Sequence, residues 1–402
     1  MEIKLIKQFR EKVENNLFEN IIPFWLRHSV DVENGGFYGR ISNDLIIDTM
    51  APKSLILISR ILWSFSALYQ FRPAQQYLDL ARRAYDYLQD KFLDKEHGGY
   101  YWLVDHKGKA IEDMKKIYGQ AFVIYSFCEY YTASGDKSAL DNAIVVFELI
   151  EKYNHDDEFK GYFEASHRNW SIAENMRLSE VDMAEKKSMN THLHMMEAYT
   201  NLFRFWKDER ICVRLRELIQ CHLNHIIDPD TNHLRMFFDE RWNPKSSVVS
   251  FGHDIETSWL LCEAANVLGD DGLIARVREL ALKMVTVTAR EGISEPGAIY
   301  AEKNGNGETS ANGFDWWPQA EAVVGFLNAF QYSGRESDLA MAIRLWDFIE
   351  NNLVDTEFGE WFYAVTSAGL PNPGRSKVCE WKGPYHNSRS CIEILNRLSA
   401  LK

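Results

Sequence analysis

No Pro/Ser-rich linker or low-complexity run interrupts these 402 residues, so nothing marks a boundary and the sequence reads as one domain, 1–402. The six cysteines (Cys128, Cys212, Cys221, Cys262, Cys379 and Cys391) contain no Cys-x-x-Cys pair. Most lie inside apolar, helix-like patterns, which predicts reduced core thiols in a cytoplasmic protein and excludes a disulfide framework. No uninterrupted apolar stretch is present, and the amphipathic start, Glu2 to Arg10, reads as neither a signal peptide nor a membrane span. Positive charge is in deficit, 45 Lys and Arg against 58 Asp and Glu, for a net charge of -13. An acidic surface repels phosphate backbones and anionic lipid, which argues against nucleic-acid and membrane partners and leaves a neutral small molecule.

What is abundant is apolar and aromatic. Hydrophobic residues make up 46%, with 12 Trp, 18 Tyr and 23 Phe, enough for a large core and for flat surfaces that stack on sugar rings. An acidic residue, glycine and paired aromatics recur along the chain. Glu33-Asn34-Gly35-Gly36-Phe37-Tyr38, Glu96-His97-Gly98-Gly99-Tyr100-Tyr101, Glu158-Phe159-Lys160-Gly161-Tyr162-Phe163 and Glu357-Phe358-Gly359-Glu360-Trp361-Phe362 are the clear copies. Gly36 to Gly99 is 63 residues and Gly99 to Gly161 is 62, while Gly161 to Gly359 spans three more such steps. Degenerate copies at Asn232 to Phe238 and near Gly297 to Tyr300 complete six units.

Between these markers, helical periodicity predominates, and about twelve stretches emerge, two per unit. The glycine-aromatic segments read as short β-hairpins with Gly allowing the turn. Six helical hairpins with no polar capping unit at either end predict an all-α, closed (α/α)6 barrel with β-hairpins at one rim.

Unusual polar residues fall at or near the starts of the even-numbered helices. Arg60 lies in the second and Tyr118 in the fourth; Asn190, His192 and His194 open the sixth, His253 the eighth, Trp316 and Trp317 the tenth, His386 the twelfth. If even helices form the inner ring, these side chains gather at one mouth, where helix N-termini favour a developing anion. His253 and Glu256 stand three apart, within reach on one helix, and a carboxylate there would make the imidazole a better base. Metal binding is the weaker reading. There is no His-Glu-x-x-His motif, His222 and His225 sit on an odd helix, and the two-residue step from His192 to His194 makes a poor chelate.

Ser59-Arg60-Ile61-Leu62-Trp63, Asn190-Thr191-His192-Leu193-His194, Gly252-His253-Asp254-Ile255-Glu256, Asp315-Trp316-Trp317-Pro318-Gln319-Ala320-Glu321 and Trp381-Lys382-Gly383-Pro384-Tyr385-His386 together resemble the N-acylglucosamine 2-epimerase superfamily. The resemblance spans nearly the whole chain and is strongest to the cellobiose 2-epimerase branch. It implies metal-free, cofactor-free inversion at C2 of the reducing-end glucose of a β-1,4-linked disaccharide, cellobiose or lactose. It further implies His253 and His386 as the acid/base pair, His194 in ring opening, Arg60 on the enediolate and Glu256 tuning His253. Tyr118, Asn190, Trp316, Trp381 and Asp182 would line the sugar subsites. A monomer or weak homodimer is expected. The chemistry agrees: a C2 proton beside an aldehyde is weakly acidic, so a positioned base, an oxyanion partner and a second base on the other face are needed, ideally with near-neutral pKa. An aldose–ketose isomerase or monosaccharide 2-epimerase would use the same residues. A glycoside hydrolase would instead need opposed carboxylates, for which Asp315, Glu321 and Glu295 are the candidates, and a non-catalytic carbohydrate-binding protein would need none of the histidines.

Overall fold

Leu55 to Leu68 are buried without a break, whereas the following helix buries only a stripe that includes Tyr77, Ala81, Ala84 and Tyr85. A helix apolar all round belongs inside and one with a single stripe outside, and the chain alternates between the two kinds. The computed structural model describes residues 2–309 and 313–401. Six inner helices, α3 (Leu55–Phe71), α5 (Ile117–Ser134), α7 (Met189–Phe205), α9 (Phe251–Leu268), α11 (Trp316–Ser333) and α13 (Tyr385–Ala400), each pack on the next, and α13 closes on α3. Outside them lie α4 (Gln75–Tyr87), α6 (Lys137–Tyr153), α8 (Glu209–Cys221), α10 (Asp271–Glu291) and α12 (Glu336–Phe348), each against the inner helix before it. The sixth outer rod is α1 (Glu2–Asn15) continued through a π-helical turn, Asn16–Ile21, into α2 (Ile22–His28), and α1 packs on α13. The expected (α/α)6 barrel is therefore closed, with thirteen α-helices forming twelve rods among the described residues. No described helix is long and apolar enough to cross a membrane.

The hairpin turns recur in all six units: Val30 bridges Phe37, Leu93 bridges Tyr100, His155 bridges Tyr162, Ile227 bridges Leu234, Ile293 bridges Ile299 and Val354 bridges Trp361. The strands beyond the turns pair between units, which the hairpin reading had not anticipated. The strand entering each inner helix joins the ribbon of the next unit: β1 (Lys53–Ser54) pairs with β2 (Leu103–Val104), and β3 (Lys115–Lys116) with β4 (Ala165–Ser166). The pattern repeats for Lys187–Ser188 with Phe237–Phe238, Val249–Ser250 with Glu302–Lys303, and Phe314–Asp315 with Ala364–Val365. Ile41 with Val378 closes the circle.

A buried Lys–Asp pair staples most of these ribbons: Lys53 to Asp31 (2.7 Å), Lys115 to Asp94 (3.0 Å), Lys187 to Asp156 (2.8 Å), and Lys377 to Asp355. The aspartate also accepts backbone N–H groups inside its own turn, as Asp156 does from Glu158 and Phe159. A second device works from the inner helices, whose fourth residue holds the hairpin backbone. Gln120 bonds both backbone groups of Tyr100, His192 accepts Tyr162 N–H at 2.9 Å, Asp254 accepts Leu234 N–H at 2.8 Å, and Gln319 bonds both groups of Ile299. Together they fix the start of each inner helix against its rim, and the unusual polar side chains lie there.

Candidate active site

Three imidazoles meet inside the ring at the N-terminal ends of α7, α9 and α13, each tied to the protein through Nδ1. His194 Nδ1–H donates to Glu197 at 2.9 Å, and His386 Nδ1–H to Glu321 at 2.7 Å. His253 Nδ1 lies 2.7 Å from Ser250 Oγ. A carboxylate only accepts, so in His194 and His386 the proton stands on Nδ1 and the lone pair on Nε2; Nε2 has no protein partner in any of the three among the described residues. His192 differs. Its two nitrogens bond Ser188 O and Tyr162 N–H, a wholly structural use.

The rest of the constellation converges as expected, with corrections. Arg60 donates to Tyr118 Oη at 3.0 Å and to Trp381 O, and its guanidinium lies over the Phe122 and Tyr385 rings. Tyr118 stands edge-on to His194, 4.9 Å between centroids, and burial pushes its phenol up to about 12. Trp381 lies 6.2 Å from Tyr118, and Asn190 keeps a buried Oδ1 without a partner. Asp182 is instead engaged locally, accepting Ser179 N–H and Oγ–H at 2.9 and 2.6 Å.

Glu256 does not touch His253. Its Oε1 accepts from Arg389 at 2.6 Å and its Oε2 has no partner. Three residues apart permits contact on a helix but the rotamer decides, and here the guanidinium draws the carboxyl inward. The tandem tryptophans differ in surroundings. Trp316 is 2% exposed, packs on Tyr363 at 4.4 Å and stands edge-on to His386 at 6.0 Å, whereas the half-buried Trp317 ring lies 4.6 Å from His253 and 5.7 Å from His386. Gly252 makes room for it, since a Cβ there would come within 2.5 Å of the indole.

Sequence reasoning missed the cavity floor. Arg389, 2% exposed, donates to Glu197 and Tyr385 Oη through one terminal nitrogen, and to Glu256 and Glu321 (2.7 Å) through the other. Glu321 also accepts Trp259 Nε1–H at 3.1 Å. The spacing of His194 and Glu197 matches that of His253 and Glu256, so the true His–Glu pair was visible in the sequence; nothing local marked Arg389.

Burial, opposed by Arg389 and His194, still leaves Glu197 ionised, its carboxyl held down to about 2. Burial and the charge of Glu321 push Glu256 well above the usual range, so the proton of that pair resides on Glu256. Burial lowers His253 to about 3, and lowers His194 and His386 as well. The expected near-neutral bases are thus depressed, because a buried imidazolium loses its hydration. Of the carboxylates a hydrolase would use, Glu321 is consumed by Arg389 and His386, Glu295 is exposed, with Arg344 bonding its backbone carbonyl, and Asp315 is raised to about 6 by burial. Glu256, Glu321 and His386 each offer one metal-type donor within 4.8 Å of one another, but Arg389 bonds both carboxyls and already supplies their cation.

The N-acylglucosamine 2-epimerase (GlcNAc 2-epimerase) family profile matches residues 36–386. A cellobiose 2-epimerase of Bacteroides fragilis is 44% identical over 96% of this chain and 98% of its own. One from Dictyoglomus turgidum is 40% identical over 99% and 100%. The solved structure of a cellobiose 2-epimerase from Bacillus thermoamylovorans superposes with a TM-score of 0.92 at 36% identity, covering 97% of this chain and 100% of that one.

Proposed function

Because the chain belongs to the N-acylglucosamine 2-epimerase family, we propose that it is a carbohydrate isomerase that reversibly inverts C2 of the reducing-end glucose of β-1,4-linked disaccharides. Cellobiose becomes glucosyl-mannose and lactose becomes epilactose. The observation that carries this reading is the pair His253 and His386. They stand on α9 and α13, to either side of α11, and both rings pack on Trp317 with Nε2 uncommitted.

The open-chain aldehyde sits against Trp317; one neutral imidazole takes the C2 proton on Nε2, and the other, entering the step protonated on Nε2, gives its proton to the opposite face, so the two exchange protonation states in each turnover. Burial makes both imidazoles weak bases. The enediolate formed beside them restores basicity by Coulomb attraction, which is strong where water is excluded. Arg60, always charged and with its Nε unpartnered in the protein, stabilises O1 and O2 of that anion. His194, ionically backed by Glu197, serves ring opening. Trp317 and Trp381 offer faces to the sugar, with Tyr118 and Asn190 as polar contacts; Trp316 supports them from behind, and Asp182 lies outside this set. The enzyme works as a single domain in the cytoplasm, as a monomer or weak homodimer, without metal or cofactor, and its six thiols are unpaired.

Incubation with cellobiose in deuterated water without added metal, followed by NMR, tests this. Glucosyl-mannose carrying deuterium at C2 is expected. A ketose product would instead establish an aldose–ketose isomerase, and released glucose a hydrolase.

A further inference from the structure

We propose that Arg389 is a positioning residue for this reaction, holding the carboxylates that orient His194 and His386 through a single guanidinium. The proposal rests on the epimerase reading above. Arg389 touches no histidine, yet the carboxylate behind each of the two, Glu197 and Glu321, accepts from it. The two terminal nitrogens serve opposite sides, Glu197 and Tyr385 on one and Glu256 and Glu321 on the other. Only a planar fork reaches both at once; a lysine ammonium is a single point of charge. The guanidinium is further held over the rings of Tyr385 and Trp259, 4.3 and 4.9 Å from their centroids.

Three carboxyls around one buried arginine are an expensive way to join helices, because apolar packing at such a place is commonly as stable or more so. Orientation of the imidazoles accounts for the arrangement. With Nδ1–H anchored on a carboxyl oxygen that Arg389 holds in place, each ring keeps its tautomer and aims Nε2 at the substrate.

Arg389 is also reachable from elsewhere. A cavity of about 740 Å³ opens at the opposite pole of the barrel, toward the C-terminal ends of the inner helices, and Arg389 and Glu197 form part of its wall with Trp63, Tyr125, Glu129 and Glu263. A small planar cation has a path to the place of the side chain that does not pass the sugar.

The sign of the pH effect follows from the neighbours. His386 faces Arg60 of α3, His194 and Glu197 of α7 and Glu321 of α11, besides Arg389 on its own helix. His194 faces Arg60, Tyr118 of α5, Glu197, Arg389 and His253 of α9. Arg389 lowers both imidazoles and holds Glu197 ionised. Its loss raises the histidines and lets the carboxylates protonate earlier, and both changes move the acid limb of kcat/KM to higher pH.

The test is Arg389→Ala, assayed beside the parent on cellobiose. We expect kcat to fall ~100-fold or more, as misplaced catalytic groups do, with KM nearly unchanged. The acid limb rises by about one pH unit or more, and dilute guanidinium chloride, but not sodium chloride of equal ionic strength, restores turnover. Arg389→Lys, which keeps the charge and loses the fork, stays low in kcat with parental KM; it also serves if the alanine variant fails to fold. A folded variant of either kind with near-parental kcat, or a folded alanine variant with an unmoved acid limb and no guanidinium rescue, overturns the proposal. An inactive parent would count against the disaccharide reading instead.

Discussion

His194, His253 and His386 share one local design, in which Nδ1 is spent on the protein and Nε2 is kept for the cavity. At this scale the roles separate cleanly. His253→Ala and His386→Ala are each expected to lower kcat by roughly 10²–10⁴-fold, the usual contribution of a positioned acid or base, with the thermal midpoint nearly intact. Loss of deuterium incorporation at C2 by NMR is the check, and unchanged turnover in either variant rules out the proton-transfer assignment. Trp317→Ala should raise KM more than Trp316→Ala does, because Trp317 is half-buried between the two imidazoles while Trp316 is 2% exposed. Steady-state kinetics of the two variants, compared at equal folded fraction, decide this.

The hairpin-and-helix element repeats a small kit of parts, and each part has a measurable weight. Lys187 is fully buried and donates to Asp156, Lys160 O and Glu240 O. Lys187→Met strands Asp156 without its cation, and a loss of about 3–5 kcal/mol in denaturant unfolding is expected, as for other broken buried pairs. Gly161 has φ +77°, and a Cβ there would stand 2.5 Å from Trp242 and 2.6 Å from His192 Nε2. Gly161→Ala should therefore cost about 1–3 kcal/mol. Gly135, with the same sign of φ but nothing within 4 Å of a Cβ, should lose less on the same substitution. Equal losses at the two positions would show that backbone strain alone, and not crowding of His192, sets the cost.

Across the whole molecule, stability should fall on the acid side in two stages. His192 and His253 are pushed from 6.5 to about 3 and His222 to about 4, by burial. A base whose folded pKa is lowered contributes stability that is complete above 6.5 and is lost as pH falls toward the folded value. His233 works the other way, since Asp254 and Glu291 outweigh its burial and raise it. So do Glu164 and Asp315, which burial raises to about 7 and about 6 and which therefore add stability as pH falls through those values. Below the ordinary 4.5 of a glutamate, Glu197 and Glu291, both held to about 2, add a second decline that runs down through that value. Thermal midpoints measured between pH 7 and 3 should trace both stages. His192→Gln isolates the first: Gln120 and Gln319 already bond the hairpin backbone from the same helix position, so the variant should fold and lose stability less steeply between pH 6.5 and 4.5. An unchanged slope would remove His192 from the account.

Much of this was legible along the chain. Six glycine-aromatic markers at near-constant spacing, with two helical stretches between successive markers, predict a closed helical ring, because each unit must cover the buried face of its neighbour. The dozen helical stretches became twelve rods, and the polar residues at the starts of the even helices do meet at one mouth. The tertiary structure alone decided which side chains touch. It linked the rim strands between units, turned Glu256 from His253 to Arg389, set Trp317 against both His253 and His386 and brought Arg389 between carboxyls of α7, α9 and α11. Periodicity fixes the face a residue presents, whereas partner choice depends on rotamers and on charges brought close by distant segments. Arg389 and Glu197 are 192 residues apart in sequence, and only the closure of the ring places them together.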